Sequence, residues 1–186
     1  MLKIGMIGEY PTDVRCIERL LIKKYNNKID MFPLLYDLHG SIIENPKIKH
    51  LLRKEFENKK PDIVLFIRDM DGLEDDKVQL EKRKAYFTEF NSVVDKKGIL
   101  LLNIYELEAL LLSDVSCLVT YYKVDVEGIE DCMKVVDPKG YLKDRIDAYK
   151  TGHNFELFSM LDCETVISNC RYFKKFIVDL DKIINN

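Results

Sequence analysis

The sequence predicts an α/β fold in which a mostly parallel sheet of about four strands is flanked by helices. Short apolar segments alternate along the chain with longer segments whose apolar residues keep helical spacing. Residues 63–67 are apolar without a break, which is typical of a strand buried on both faces of a parallel sheet. We therefore predict one domain over residues 1–186, with an α/β core at 1–115 and a mostly helical C-terminal extension at 116–186.

The first half of the core contains two predicted strands. The first strand covers Leu2–Ile7, and a helix with apolar residues at helical spacing begins at Thr12. The second strand is predicted at residues 29–38. Because Pro33 lacks the N–H group that a central strand needs, this strand belongs at an edge of the sheet or contains a bulge. A second helix begins at Asn45 and precedes the third strand.

The second half of the core follows the same alternation. The third strand ends in the sequence Asp69-Met70-Asp71-Gly72, and a charged helix is predicted at residues 75–94. The fourth strand covers residues 99–104. Such alternation is typical of parallel strands joined by helical crossovers. Farther on, apolar residues at helical spacing between residues 166 and 184 predict a helical tail that packs on the sheet.

Composition limits the possible classes of protein. The chain has 186 residues, of which 47% are hydrophobic and 33% charged, as in ordinary globular proteins. Its net charge of −3 argues against a generally basic nucleic-acid-binding surface, so nucleic acid would need a local patch. Five cysteines without a CxxC pair indicate reduced thiols rather than disulfides or a zinc site. With no signal peptide or membrane-spanning run, we expect a cytoplasmic protein without membrane contact.

Acidic residues follow three of the predicted strands. These are Glu9 after the first strand, Asp69 and Asp71 after the third, and Glu106 and Glu108 after the fourth. Because the carboxyl ends of parallel strands meet at one edge of a sheet, these acids can converge, and Asp13 would lie near the same edge. Crowded carboxylates repel each other unless a cation lies between them. Mg²⁺ or Mn²⁺ is the natural candidate, as one ion or a pair that assists phosphodiester hydrolysis.

This arrangement resembles a known family. Glu9 after the first strand and Asp69-x-Asp71 after the third resemble the Toprim domain of primases, topoisomerases and OLD-family nucleases, and the spacing from Glu9 to Asp13 is more similar to the OLD type. Residues 105–114, Pro138-Lys139 and residues 168–180 are similar to segments of a prokaryotic Toprim-like family often encoded beside ATPases. The chain departs from that family at Leu110, where relatives carry Trp, and in its GEYPTD loop, where G-x-T-E is commoner.

The resemblance implies a Toprim-like, Rossmann-like fold and divalent-metal-dependent phosphodiester hydrolysis. It implies a nuclease that acts on DNA or RNA, with an ATPase partner encoded nearby and a role in phage defence. The implied metal ligands are Glu9, Asp13, Asp69, Asp71, Glu106 and Glu108. The implied catalytic residues are Glu9, which would bind metal or shuttle a proton, Asp69, and Lys139, which would face the scissile phosphate.

Several of these residues also have a structural interpretation. Asp13 could serve only as a helix cap. Glu106 and Glu108 lie at a predicted helix start, where the helix dipole alone favours negative charge. Of these two, Glu108 is the functional candidate by its motif position. The run Lys82-Arg83-Lys84 is either a solvated helix face or a track for a nucleic-acid backbone.

Two other functions stay open. The chain could be a non-catalytic partner subunit of an ATPase or nucleic-acid complex that keeps the fold without cleaving. The sequence Asp69-Met70-Asp71-Gly72 also matches the DxDG signature of haloacid-dehalogenase-type phosphohydrolases, in which the first aspartate is the nucleophile. That signature usually follows the first strand, and the interpretation leaves Glu9 without a role. The sequence contains no P-loop, dinucleotide fingerprint, GxSxG elbow or receiver-type acidic pair.

Overall fold

A four-stranded, all-parallel sheet forms the centre of the molecule. The computed structural model describes residues 1–185, except for the side chains of Ser41 and Glu44, so Asn186 of the predicted 1–186 domain lies outside the described residues. The strands are β1 (Leu2–Ile7), β2 (Ile29–Pro33), β3 (Ile63–Asp69) and β4 (Gly98–Asn103). Their order is β2-β1-β3-β4, and each neighbouring pair is parallel. The predicted α/β class is confirmed, and the carboxyl ends of all four strands lie at one edge of the sheet.

Helices cover both faces of the sheet. They are α1 (Thr12–Tyr25), α2 (Pro46–Lys59), α3 (Lys77–Val93), α4 (Ala109–Leu112), α5 (Val115–Tyr122), α6 (Pro138–Arg145), α7 (Asn154–Met160), α8 (Cys163–Asn169) and α9 (Arg171–Ile184). Short 3₁₀ turns lie at Asn26–Lys28, Gly40–Glu44, Cys132–Lys134 and Thr151–His153. Between residues 104 and 185 the structure contains helices and loops and no strand.

The second strand is shorter than predicted. It lies at an edge of the sheet, as Pro33 indicated, but the prediction that it continues to residue 38 is wrong. After Leu34 N donates to Met6 O at 2.8 Å, the chain turns away from β1. Lys59 Nζ then donates to the carbonyl oxygens of Pro33 and Leu34, at 3.0 and 3.2 Å. The side chain of Lys59, on α2, therefore binds the carbonyl oxygens that would accept hydrogen bonds from a neighbouring strand if β2 were longer.

The alternation of side chains along β3 explains its unbroken apolar sequence. Val64 and Phe66 belong to the apolar cluster that includes side chains of α2 and α3. Leu65 and Ile67 belong to a second cluster, formed with α1 and the C-terminal helices. Because both faces of the strand are covered, every position from 63 to 67 is buried. The strand is thus held firmly, and it carries Asp69 at its end.

The remaining sequence-based expectations concern thiols and membranes. All five cysteines are buried and unpaired. No helix in residues 1–185 combines the length and the apolar character needed to cross a bilayer.

Candidate functional site

A cavity of about 190 Å³ opens at the carboxyl edge of the sheet. Acidic and basic side chains line it together: Glu9, Asp13, Asp69, Asp71, Arg68, Lys82 and Arg83, with Gly40. The structure therefore brings together the predicted acids that follow β1 and β3. The cavity is polar and has room for several water molecules.

Glu9 reaches the cavity because β1 and β3 approach each other closely just before it. A Cβ atom on Gly8 would lie 3.0 Å from Ile67 Cβ and 3.2 Å from Ile67 O, so only glycine fits without displacement. The carbonyl oxygen of Glu9 accepts hydrogen bonds from Asp13 N at 3.0 Å and Val14 N at 3.2 Å. The side chain of Glu9 accepts a hydrogen bond from Gly40 N at 2.8 Å.

Asp13 lies buried in the first turn of α1. Pro11 is the N-cap residue and makes no side-chain capping hydrogen bond in the described part of the chain, and Asp13 lies inside the helix, so the interpretation of Asp13 as a cap is wrong. Burial, followed by the charges of Asp69 and Glu9, raises the pKa of Asp13 well above its usual range. A buried carboxyl group beside other acids is costly, which makes it a candidate for a functional role.

Asp69 ends β3 beside Asn103, the last residue of β4. Asn103 Nδ2 donates to Asp69 Oδ1 at 3.0 Å. The pKa of Asp69 is raised to about 7, and burial is the largest cause. The charges of Glu108, Asp71 and Glu9 also raise this pKa, whereas the hydrogen bond from Asn103 lowers it. The other side-chain atom of Asn103, Oδ1, is buried and accepts no hydrogen bond from the described residues.

The loop that carries Asp71 is paired with the loop after β4. Asp71 N donates to Tyr105 O, and Tyr105 N donates to Gly72 O, both at 2.9 Å. Asp71 and Tyr105 have φ angles of +58° and +60°, which are uncommon for residues other than glycine. The side chain of Asp71 accepts a hydrogen bond from the guanidinium of Arg83 on α3. The paired loops and Arg83 thus hold Asp71 at the rim of the cavity.

The three residues of the predicted basic run have different surroundings. Arg83 is only 2% exposed and forms the ion pair with Asp71. Lys82 is exposed and lines the cavity. Lys84 is exposed and pairs with Glu81 at 2.9 Å. Two members of the run therefore lie at the acidic site, and one lies on the outer face of α3.

Glu106, Glu108 and Lys139 form a second group, which does not line the cavity. Lys139 Nζ lies 3.0 Å from Glu106 Oε2 and 3.7 Å from Glu108 Oε1, and Lys139 N donates to Glu106 Oε1 at 2.5 Å. Buried Glu108 also accepts hydrogen bonds from Asn154 Nδ2 at 3.0 Å and Tyr149 Oη at 3.4 Å.

The second group acts on the cavity through its charge. Burial raises the pKa of Glu108, and the charge of Lys139 opposes the rise. The negative charge of Glu108 in turn raises the pKa values of Asp13 and Asp69. Glu108 therefore lies close beside the cavity while its hydrogen bonds go to residues of the C-terminal part.

Arg68, Asn103 and Asn154 are among the residues of the site that were not predicted from the sequence. Arg68 is buried, lines the cavity and lies with its guanidinium carbon 5.4 Å from the centroid of the Tyr86 ring. Asn103 and Asn154 hold the carboxylates of Asp69 and Glu108. Arg68 could have been predicted as a site residue because it is a charged residue at the end of an apolar strand. Asn103 could have been predicted because it is a polar residue at the end of a strand. Asn154 had no such signal.

The acids offer the right atoms for a metal ion, although their side chains have protein partners. Carboxylate oxygens are the ligands that Mg²⁺ and Mn²⁺ prefer. Within residues 1–185, no group of three or more histidine, cysteine or acidic side chains is arranged so that it could hold a metal as it stands. Glu9 is bonded to Gly40, and Asp71 is paired with Arg83. The donor chemistry fits a divalent cation, and side-chain rotation would be needed to bring the donors together.

Comparisons with protein-family models, with curated proteins and with solved structures give no significant match to this chain. An activity therefore has to be inferred from the residues at the carboxyl edge of the sheet.

Proposed function

We propose that the chain is a Toprim-like domain that catalyses divalent-metal-dependent hydrolysis of phosphodiester bonds, as a nuclease acting on DNA or RNA. One observation carries the proposal: Glu9 after β1 and Asp69 and Asp71 after β3, distant in sequence, line one cavity together with buried Asp13. Burial and neighbouring acids raise the pKa values of Asp13 and Asp69. A bound divalent cation would relieve this repulsion.

In this proposal, Asp69 and Asp71 would hold Mg²⁺ or Mn²⁺, and Glu9 and Asp13 would complete the set of ligands. The ion, when bound, neutralises charge on the phosphodiester and lowers the pKa of a bound water. Glu9 accepts or returns a proton at the reacting oxygen when it is not a ligand. Lys82, on the cavity wall, attracts the phosphate, and Lys139 approaches it after release from Glu106.

The test is cleavage of supercoiled plasmid and of single-stranded circular DNA with Mn²⁺, Mg²⁺ or EDTA. We expect cleavage by the wild type only with metal, and a loss of more than about tenfold in Asp71→Asn and Glu9→Gln. Asp75→Asn is the matched control, because Asp75 is an exposed acid on the same loop that does not line the cavity. Equal activity of wild type and Asp71→Asn, or no cleavage with any divalent metal, would contradict the proposal.

A non-catalytic partner subunit is the second candidate. It is favoured by the partners that the carboxylates already have, namely Gly40 for Glu9, Arg83 for Asp71 and Lys139 for Glu106. A subunit of this kind would shift the mobility of nucleic acid equally as wild type and as Asp71→Asn, with no cleavage by either. The nuclease proposal requires cleavage that depends on Asp71.

The phosphohydrolase alternative makes a different prediction. Asp69 would attack the phosphorus of a phosphomonoester, the P–O bond to the alcohol would break and the alcohol would leave. Intact-mass measurement after acid quenching would detect the resulting aspartyl-phosphate. In the nuclease proposal Asp69 is a metal ligand and forms no covalent bond to phosphorus. We therefore expect no phosphorylated species with wild type or with Glu9→Gln.

A further inference from the structure

A second and larger cavity lies on the other side of the loop between β1 and α1. Its volume is about 630 Å³, and it is lined by Tyr10, Arg15, Asp37 and Phe155 among others. Glu9 and Asp13 line the carboxylate cavity, while Tyr10, Pro11 and Thr12, which lie between them in sequence, line this one. Residues 9–13 therefore contribute to the walls of both cavities. We call the larger one the aromatic groove.

Two aromatic rings, Tyr10 and Phe155, line the aromatic groove, and a third, Tyr36, contacts the ring of Tyr10. The rings of Tyr10 and Tyr36 are in edge-to-face contact, with centroids 5.1 Å apart and an interplanar angle of 80°. Tyr36 is 54% exposed, which is high for a side chain of this size. Phe155 lines the groove from α7. Exposed aromatic rings that meet at a groove offer stacking surfaces for flat ligands.

Each of these rings has a cationic side chain beside it. Arg15 donates from Nη2 to Tyr10 Oη at 3.2 Å. The guanidinium carbon of Arg19 lies 4.4 Å from the centroid of Phe155, and Lys59 Nζ lies 5.0 Å from the centroid of Tyr36. Asp37 contributes one negative charge to the lining. Lys59 is also paired with Glu55 at 3.2 Å, so the exposed side chains of Arg15 and Arg19 are the cations that a polyanion would meet here.

We propose that the aromatic groove binds a segment of single-stranded nucleic acid. Unpaired bases stack on Tyr36 and Phe155, and the phosphates lie against Arg15 and the cations beside the rings. A duplex keeps its bases stacked inside and cannot offer their faces to these rings. This inference rests on the proposed function, because it names the substrate class of that site: a strand in the groove continues past the β1–α1 loop to the carboxylates. The binding itself requires no metal.

The test measures binding of nucleic acid in the presence of EDTA, which prevents metal-dependent cleavage. Fluorescence anisotropy would follow a fluorescein-labelled 12-nucleotide oligo(dT) and a 12-base-pair duplex. We expect tighter binding of oligo(dT) than of the duplex. Tyr36→Ala should weaken oligo(dT) binding about tenfold, and Tyr36→Phe, which keeps the ring, should retain it. Arg15→Gln should reduce the slope of log affinity against log salt concentration by about 0.7.

The control is Arg145→Gln. Arg145 is exposed and lies 3.8 Å from the centroid of the Tyr141 ring, so it has the same cation–ring chemistry, but it does not line the groove. We expect it to bind oligo(dT) as the wild type does. Equal affinity of wild type and Tyr36→Ala, or preference for the duplex, would overturn the inference. If oligo(dT) binds as predicted but is never cleaved, the nuclease proposal alone fails. If cleavage occurs and Tyr36→Ala changes nothing, the groove proposal alone fails.

Discussion

The guanidinium of Arg83, which is almost fully buried on α3, donates a hydrogen bond to the Asp71 carboxylate at the rim of the carboxylate cavity. The positive charge of Arg83 therefore neutralises the negative charge of Asp71, one of the acids that we propose as metal ligands. Such a pair holds Asp71 in place, and it also competes with any divalent ion for the same oxygens.

Replacement of Arg83 by methionine should strengthen metal binding. Methionine fills much of the buried volume of the arginine stem but carries no charge, so the Asp71 carboxylate is released. We expect the affinity for Mn²⁺ to rise about tenfold in Arg83→Met, which corresponds to the loss of one neighbouring cation. Isothermal titration calorimetry measures this affinity. Lys84→Met is the control, because Lys84 pairs with Glu81 on the outer face of α3. Weaker Mn²⁺ binding in Arg83→Met would contradict the competition.

The metal-free protein should become more stable as the pH falls from 8 to 5.5. The pKa of Asp69 is raised from 3.8 to about 7, chiefly by burial, so the folded state binds a proton more tightly than the unfolded state. This contribution to stability is complete below the unfolded pKa and is lost as the pH rises through about 7. The raised pKa of Asp13 acts in the same direction. Urea unfolding in EDTA at several pH values measures the effect, and Asp69→Asn should reduce it. A free energy of unfolding that increases from pH 5.5 to 8 would contradict this prediction.

Gly8→Ala should disturb both stability and the site. The added Cβ atom would meet Ile67 Cβ at 3.0 Å, in a place where both strands are buried. We expect a loss of about 1–3 kcal/mol in the free energy of unfolding, as for other overpacked cores, and weaker Mn²⁺ binding because Glu9 moves with Gly8. Gly128→Ala is the matched control, since nothing lies within 4 Å of its added Cβ atom. Wild-type stability of Gly8→Ala would show that the approach of β1 to β3 is looser than described.

Asn154→Ala should destabilise the protein through Glu108. Asn154 is 1% exposed, donates to Glu108 Oε1 at 3.0 Å and accepts from Tyr149 Oη at 2.9 Å. Its removal leaves a buried carboxylate with fewer donors, at a cost of about 1–3 kcal/mol. Chemical denaturation measures the difference. Ser159→Ala, an exposed change on the same helix, should alter stability by about 0.5 kcal/mol or less. Equal effects of the two substitutions would contradict the role given to Asn154.

The parts of the fold that follow from local sequence could be predicted, and those that depend on side-chain docking could not. The strand from 63 to 67 was evident because both of its faces are covered. The end of β2 was misplaced because its carbonyl oxygens are bonded to Lys59, a residue about 25 positions away. Apolar Leu34 and Leu35 are buried in a turn there, and they look the same in sequence as strand residues.

The site shows the same division. The convergence of Glu9, Asp69 and Asp71 follows from the rule that parallel strands end at one edge. The burial of Arg83 was missed because both interpretations of the run Lys82-Arg83-Lys84, a solvated helix face or a track for a nucleic-acid backbone, leave all three side chains exposed. Arg83 is three residues after Leu80 and four before Phe87, so it shares their face of α3, and this spacing was a usable signal. The pairing of Lys139 with Glu106 depends on how α6 docks, for which the sequence gives no local sign.

The central claim is that acids at the ends of β1 and β3 share one divalent cation. Its most direct test is to measure Mn²⁺ binding to the wild type, Glu9→Gln and Asp69→Asn. Electron paramagnetic resonance of free Mn²⁺ gives the affinity without dependence on catalysis. We predict saturable binding by the wild type and a loss of more than about tenfold in each variant, although the two residues belong to different strands. Absence of binding by the wild type, or unchanged affinity in Glu9→Gln, would contradict the claim.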